Sequence, residues 1–313
     1  MLTGGACHRQ CFLRVKPVTI FAPAKLNLFL AVTGRRADGF HDLVSVAAPL
    51  DFGDTLVVEA RGEGQGANGN FSLTCNDEAV PCDESNLVLK AARAFAIATG
   101  WRGGANFSLE KQTPMGAGLG GGSSDAVAAL RALNTLAGKP LAAPALMEIA
   151  TRLGSDCALF LHDGPVVMRG RGERVASLPV TAAARLRGRR VLIFKPGFAI
   201  PTAWAYAQMA ARPETYVPAN EAEARLAAWF EDKRATAEEI LFNSMERVVG
   251  AKFLALPVLL AELAAKFGLA PRMSGSGSAC FALLPDEVPV PAISAAVRAA
   301  WGASAFVVEA RLA

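Results

Sequence analysis

The sequence predicts an α+β protein in two parts, and three observations carry that expectation. Short alternating apolar runs crowd the first 110 residues and read as strands. A glycine-rich loop then joins a strand to an Ala/Leu/Val helix. From Pro201 the pattern turns helical and closes on strand–helix–strand, which with an antiparallel partner suggests a ferredoxin-like half. A chain of 313 residues can hold one large or two medium domains, each with a real core. The boundary is placed near Arg185.

In chain order, Val18–Gly34 alternates as a strand, a break at Pro23 and a second strand. Lys25 and Asn27 share one face of it, with Leu26, Leu28 and Leu30 on the other. A lysine at the start of an apolar strand is ordinarily a solvated edge residue; beside a phosphate loop it becomes a candidate for neutralising transferred charge. Asp38-Gly39 marks a turn, followed by Phe40-His41 and strands at Val44–Leu50 and Thr55–Ala60. A polar, glycine-rich hairpin leads to a strand at Phe71–Thr74. Asn86 caps a helix over Leu87–Thr99, and Ala105–Leu109 is the strand that enters the glycine loop.

After the loop helix come a helix at Pro144–Leu153 and the segment Gly154–Phe160. There Asp156 precedes an apolar run, the usual place of a cap or turn residue. The rival reading is a catalytic carboxylate kept ionised by a helix start. Val166–Val175 reads as a hairpin around Arg169-Gly170-Arg171-Gly172, Arg187–Arg190 as a charged loop, and Val191–Lys195 as a buried strand. Helices are expected near Pro201–Ala211, Glu221–Phe230, Glu238–Val249 and Phe253–Phe267. The small-residue loop Arg272–Phe281, a strand at Ala279–Leu284, a helix at Ala292–Trp301 and a strand at Ala305–Ala310 complete the chain.

The stretch from Lys111 to Ala132 carries the chemistry. Gly116, Gly118, Gly120, Gly121 and Gly122 lead into Ser123-Ser124-Asp125 and an apolar helical run. Ser123 reads as the N-cap. A glycine loop feeding a helix start aims unpaired N–H groups and a positive dipole end at one spot, which suits phosphates. It is not a Walker loop, because no lysine stands between Gly116 and Ser124. The letters G-x-G-x-x-G are matched, but a dinucleotide fold places them after its first strand with an acidic residue about 20 positions on. The bland alternative is a glycine turn without a ligand.

Composition narrows the classes. Hydrophobic residues are 52% and charged ones 19%, with a scattered net charge of +4, which does not argue for nucleic acid. No run of 18 apolar residues announces a membrane span, and the N-terminus lacks a secretory signal pattern. Cys7, Cys11, Cys75, Cys82, Cys157 and Cys280 show no framework spacing, so a reduced, cytoplasmic protein is expected. Cys7, His8 and Cys11 lack a fourth metal ligand and read as part of a flexible extension.

Three blocks stand in order: Pro23-Ala-Lys25-Leu-Asn27-Leu, Pro114-Met115-Gly116-Ala117-Gly118-Leu119-Gly120-Gly121-Gly122-Ser123-Ser124, and Ser274-Gly275-Ser-Gly277. Together they resemble the galactokinase–homoserine–mevalonate–phosphomevalonate (GHMP) kinase superfamily. PAKLNLFLAVTGRRADGFHDL, GLGGGSSDA, LGSDCALFL, KPGFAIPT and SGSGSACF are similar to the 4-diphosphocytidyl-2-C-methyl-D-erythritol kinase family within it. The resemblance runs from Val18 to the C-terminus and leaves residues 1–17 outside, as a flexible extension.

That resemblance implies a two-domain GHMP kinase fold, with a ribosomal-protein-S5-like α/β domain over 18–185 and a ferredoxin-like domain over 186–313. It implies ATP as phosphoryl donor and a cytidine diphosphate-linked methylerythritol as substrate; phosphoryl transfer in turn leads to an expectation of Mg2+, with unassigned ligands. The family's catalytic lysine and aspartate fall on Lys25 and Asp156, with Asn27 orienting the substrate hydroxyl or the aspartate. Residues Pro114 to Ser124 would hold the ATP phosphates, with Ser123 or Ser124 as a metal contact. Phe40, His41, Thr202, Tyr206, Ser274, Gly275 and Gly277 would bind the substrate, Phe40 and Tyr206 sandwiching the pyrimidine. Phe40 is often tyrosine in relatives, and Arg171 stands where the family often has an apolar residue. A monomer or weak homodimer is implied. Another GHMP small-alcohol kinase and a non-enzymatic nucleotide-binding module are the competing readings.

Overall fold

Proline in a strand removes one ladder hydrogen bond, and a sheet tolerates it at bulges. In the computed structural model, which describes residues 16–61, 70–138 and 141–313, this is how the chain accommodates Pro23. The strand β1 (Val18–Arg35) runs unbroken through it and pairs antiparallel with β2 (His41–Arg61). The register slips between Pro23 and Lys25, opposite Gly53, where an added Cβ would stand 2.2 Å from Ala22 O. The expected two strands on each side are therefore one long strand each. A second slip between Asn27 and Phe29 reverses the alternation. Leu26 and Leu28 consequently enter one hydrophobic cluster and Leu30 the other, not a single shared face.

Asn86 caps α1 (Leu87–Thr99) by accepting the Val88 N–H at 2.9 Å, and Gly100 ends the helix at φ 66°. This helix connects β3 (Phe71–Cys75) to β4 (Gly104–Glu110), which pair parallel. Because β4 also pairs with Thr55–Arg61 of β2, it separates β3 from β2. The expected hairpin between those two strands is thus replaced by a crossover; its connecting residues 62–69 lie outside the described residues, as do Cys7, His8 and Cys11.

Next come α2 (Gly121–Leu136) and α3 (Ala143–Leu153), then a 3₁₀ turn at Ala158–Leu161. The hairpin of β5 (Val166–Gly170) and β6 (Arg174–Ser177) extends the sheet beside Leu43–Ala47 of β2. A short helix that periodicity did not reveal, α4 (Val180–Leu186), precedes β7 (Arg190–Lys195).

The remaining elements are α5 (Thr202–Ala210), α6 (Ala219–Glu231), β8 (Phe242–Asn243), α7 (Glu246–Gly250), α8 (Ala255–Phe267), β9 (Arg272–Met273), β10 (Cys280–Leu283), α9 (Val290–Trp301) and β11 (Phe306–Arg311). The expected helix over Glu238–Val249 is broken. Phe242 and Asn243 pair parallel with Phe29 and Leu30, and the buried Asn243 amide donates to Met273 O (2.7 Å) and Gly275 O (2.8 Å). Tertiary pairing overrides the helical period there.

The second sheet has the order β11-β7-β10-β9, a β-α-β-β-α-β ferredoxin-like arrangement. The two sheets share their cores: one hydrophobic cluster joins Val58 to Val297, the other Leu26 to Phe281. The first sheet carries Lys25 and the glycine loop; the second clamps that loop from below.

Candidate functional site

The glycine loop between β4 and α2 turns through Gly116 (φ 60°), Gly118 (φ 77°) and Gly120 (φ 72°), a region L side chains avoid. At two of them space is also closed. A Cβ on Gly118 would stand 2.2 Å from Ser274 O, and one on Gly120 2.9 Å from Lys25 Cγ and 3.0 Å from Phe160 Cζ. Gly120, not Ser123, is the cap of α2, and no side chain bonds the helix start. Only glycine takes the left-handed conformation the entry needs, and it leaves the first-turn N–H groups without a cap bond. Ser123 lies one turn in, beside the Cys157 thiol that burial pushes up to about 11.

The loop is seated by the second small-residue loop. Ser274 Oγ donates to Gly118 O (3.1 Å) and accepts from the Asn27 N–H (3.3 Å), while the Ala279 N–H donates to Ala117 O (3.1 Å). Ser274 is fully buried in that clamp, and Gly277 packs on Met273, so neither lines the cavity. Ser124 does not line it either: its residue is 1% exposed and its hydroxyl has no partner. Gly275 does reach the wall.

An open cavity of about 1250 Å³ runs past the loop, above the ~300–1,000 Å³ of a single small-ligand pocket. Lys25 stands on its wall, 3% exposed rather than a solvated edge. Its Nζ donates to Asn27 Oδ1 at 2.5 Å and stands 3.3 Å from Asp156 Oδ2. Asn27 Nδ2 donates to Ser45 Oγ (2.9 Å), and Ser45 donates onward to Phe29 O (2.6 Å). That chain fixes which end of the amide faces the lysine; Asn27 therefore holds Lys25. Asp156 is not a cap: the 3₁₀ turn begins at Cys157 without a side-chain bond, leaving the carboxylate 34% exposed to the cavity.

Farther along the wall, Phe40 is half exposed on the turn after Gly39, and the His41 ring packs tilted against Tyr206, with centroids 4.8 Å apart. His41 Nε2 lies 3.1 Å from the Tyr216 hydroxyl, and burial, with the Arg35 charge, holds the ring below the ordinary histidine range and so neutral near pH 7. Burial, then the nearby Asp156, push the Tyr206 phenol up to about 12, so it remains a hydrogen-bond donor. Thr202 and Ser276 share a hydrogen bond of 2.8 Å across the mouth.

A charged cluster beneath the loop was not anticipated. Lys111 Nζ bonds Asp54 Oδ2 (2.5 Å) and Asp125 Oδ2 (2.7 Å), all three side chains at most 6% exposed. Asp54 Oδ1 also accepts the Gln112 and Thr113 N–H groups at 2.7 Å. Lys111 and Asp125 do bracket the glycines in sequence, which is a signal. Asp54 is brought to them only by the β2–β4 register, Thr55 opposite Glu110.

Among the described residues no trio of His, Cys, Asp or Glu converges on a metal position, and no helix is long and apolar enough to cross a membrane.

Comparison with known proteins meets this geometry. Residues 86–164 match the GHMP kinases N terminal domain and residues 226–303 the GHMP kinases C terminal. The chain is 38% identical over 280 residues to a 4-diphosphocytidyl-2-C-methyl-D-erythritol kinase of Synechococcus sp. (strain CC9902), covering 86% of this chain and 88% of that protein. A crystal structure of a 4-(cytidine 5'-diphospho)-2C-methyl-D-erythritol kinase superposes with a TM-score of 0.73 at 34% identity, over 95% of this chain and all of that one. A homoserine kinase from Cytophaga hutchinsonii shares the fold at a TM-score of 0.68 and 18% identity, covering 95% of each chain. With that much of its length shared at such identity, the chain belongs to the GHMP kinases and, within them, to the 4-diphosphocytidyl-2-C-methyl-D-erythritol kinase family.

Proposed function

We infer that the protein transfers the γ-phosphoryl group of ATP to the 2-hydroxyl of 4-diphosphocytidyl-2-C-methyl-D-erythritol, the kinase step of the non-mevalonate isoprenoid pathway. One observation carries the reading. The Lys25–Asp156 pair shares one cavity with the glycine loop on one side and the Phe40–His41–Tyr206 wall on the other. A triphosphate and a nucleoside alcohol can therefore meet at Asp156. The uncapped start of α2 and the left-handed glycines present donors to the phosphates.

Asp156 accepts the proton of the attacking hydroxyl as its oxygen bonds to the γ-phosphorus and the bond to ADP breaks. Lys25, held by Asn27, keeps a positive charge 3.3 Å from that carboxylate and beside the developing charge on phosphorus. The pyrimidine would stack on Phe40, with Tyr206 on its far side; base–aromatic stacking is worth about 1–3 kcal/mol per base.

Mg2+ fits as a companion of the triphosphate. The wall offers the Ser123 hydroxyl beside the loop, and this ion takes few protein oxygens when phosphates and waters supply the rest. Bound there it would neutralise phosphate charge. Ser124, with its hydroxyl buried away from the cavity, is not part of that set. Among the described residues Cys75, Cys82, Cys157 and Cys280 carry free thiols, and a reducing cytoplasm would keep them so.

The test is ADP release from magnesium-ATP with the cytidylated alcohol, run against mevalonate and homoserine. Turnover with the first alone is expected; turnover with another alcohol would keep the superfamily and discard the substrate. The loop assignment has its own check. Gly120→Val, forced to φ 72° against Lys25 and Phe160, is expected to weaken ATP affinity at least tenfold by calorimetry, from about 1–2 kcal/mol of backbone strain plus the clash. Unchanged ATP affinity in a folded variant would reject the loop as the phosphate cradle.

A further inference from the structure

Arg171 is a cationic side chain on the cavity wall that makes no ion pair among the described residues. It sits between Gly170 (φ 67°) and Gly172 (φ 109°) at the tip of the β5–β6 hairpin, and its N–H donates to Glu173 Oε2 at 2.5 Å. The backbone of the tip is thereby tied down while the side chain enters the cavity. Its guanidinium carbon lies 4.7 Å over the Phe40 ring. On its other side the tip abuts the catalytic end of the site: a Cβ on Gly172 would stand 3.2 Å from Ser155 O, next to Asp156. The hairpin tip that carries Arg171 thus lies between the Phe40 ring and Ser155, the neighbour of Asp156.

Charge is the second observation. Four basic side chains besides His41 line the cavity: Lys25, Arg35, Lys111 and Arg171. Lys25 is paired with Asp156, and Lys111 with Asp54 and Asp125. Asp38, within Coulombic reach of Arg171, is already bonded by Arg36 Nε (3.1 Å) and the Phe40 N–H (3.1 Å). Arginine on a half-exposed ring is a resting position, and guanidinium is the side chain best matched to phosphate oxygens.

We propose that Arg171 is the specificity residue that reads the substrate's diphosphate, its guanidinium moving from the Phe40 ring to the phosphate oxygens when the pyrimidine stacks. The proposal rests on the cytidylated-substrate reading above: a base at Phe40 and an alcohol at Asp156 leave the diphosphate to cross the stretch of wall where Arg171 stands.

Cytidine and cytidine diphosphate are the probes, titrated calorimetrically into the full-length protein and its Arg171→Met, Arg35→Met and Phe40→Ala variants. The wild type is expected to bind the diphosphate at least about tenfold more tightly than cytidine, a ratio that falls as salt rises. Arg171→Met is expected to reduce that ratio to about one to two while leaving cytidine itself within about threefold. Phe40→Ala should weaken both probes alike. Equal weakening of both probes by Arg171→Met would make the arginine a mere support for the ring and overturn the proposal. Loss of the ratio in Arg35→Met instead would assign the role to the other arginine and overturn it too. Failure of the folded wild type to bind either probe would sink the substrate reading itself, and the proposal with it.

Discussion

Asp156→Asn is expected to lower kcat by about 10³-fold, within the 10²–10⁴ that a positioned general base supplies, with both substrates still bound within a few fold. The amide keeps the size of the side chain and one acceptor oxygen, but it replaces the other with a donor and cannot take the hydroxyl proton. Lys25, 3% exposed, then faces Asn27 Oδ1 and an amide in place of the carboxylate. Since Asp156 is itself 34% exposed, water screens the pair, and the loss in stability should be at most about 1 kcal/mol. Activity should thus collapse while the melting temperature barely moves. Lys25→Met is expected to cut kcat as well, and the double variant to be little worse than either single one, because the two groups act as a unit. Single-turnover rates and calorimetric substrate affinities measure both halves of this. A kcat within tenfold of wild type would remove Asp156 as the base.

The helix at Leu87–Thr99 could be read to its ends because its signals are local: an Asn cap and a glycine terminator. The glycine loop, Lys25 and Asp156 were legible for a related reason, since each stands in a short block whose chemistry is written in consecutive residues. What escaped depends on register. Whether Pro23 breaks a strand or sits in a bulge is decided by Gly53, some thirty positions away. The extended segment Phe242–Asn243 has helical periodicity and is a strand because β1 offers it an edge.

At the site the same distinction holds. The SGSG motif suggested a ligand loop, yet Ser274 spends its hydroxyl on Gly118 and the Asn27 N–H and Gly277 packs on Met273, so only the middle of the motif, Gly275 and Ser276, reaches the cavity. Asp54 carried no signal at all; only strand pairing carries it to Lys111. Arg171 was visible as a departure from the family, but its contact with Phe40 depends on how the β5–β6 hairpin lies against β2.

Lys111→Met is expected to lower the melting temperature by about 5–8 °C, from a loss of about 3–5 kcal/mol when a buried pair is broken and about 1.5 °C per kcal/mol in a chain of 313 residues. The lysine stands between two buried carboxylates and donates to both; without it two like charges remain together under the phosphate loop. Asp54 also anchors the Gln112 and Thr113 N–H groups just before Pro114, so ATP affinity should fall with stability. Burial, opposed by Lys111 and reinforced by Asp54, pushes Asp125 up to about 7 from an ordinary 3.8. The sign follows: between about pH 4 and 7 the folded state keeps a proton that the unfolded chain has released. Asp125 therefore makes the protein less stable as pH rises through that window, and its contribution levels off above it. Asp125→Asn should flatten this part of the stability curve and melt at least as high as wild type at pH 8. In Lys111→Met the opposing charge is gone, so the slope should steepen and extend past pH 7. Thermal melts of the three proteins from pH 5 to 8 measure all of this. A Lys111→Met variant melting within about 1 °C of wild type at pH 7, less than a single kcal/mol, would show that the cluster bears no weight, and an undiminished slope in Asp125→Asn would place the titrating group elsewhere.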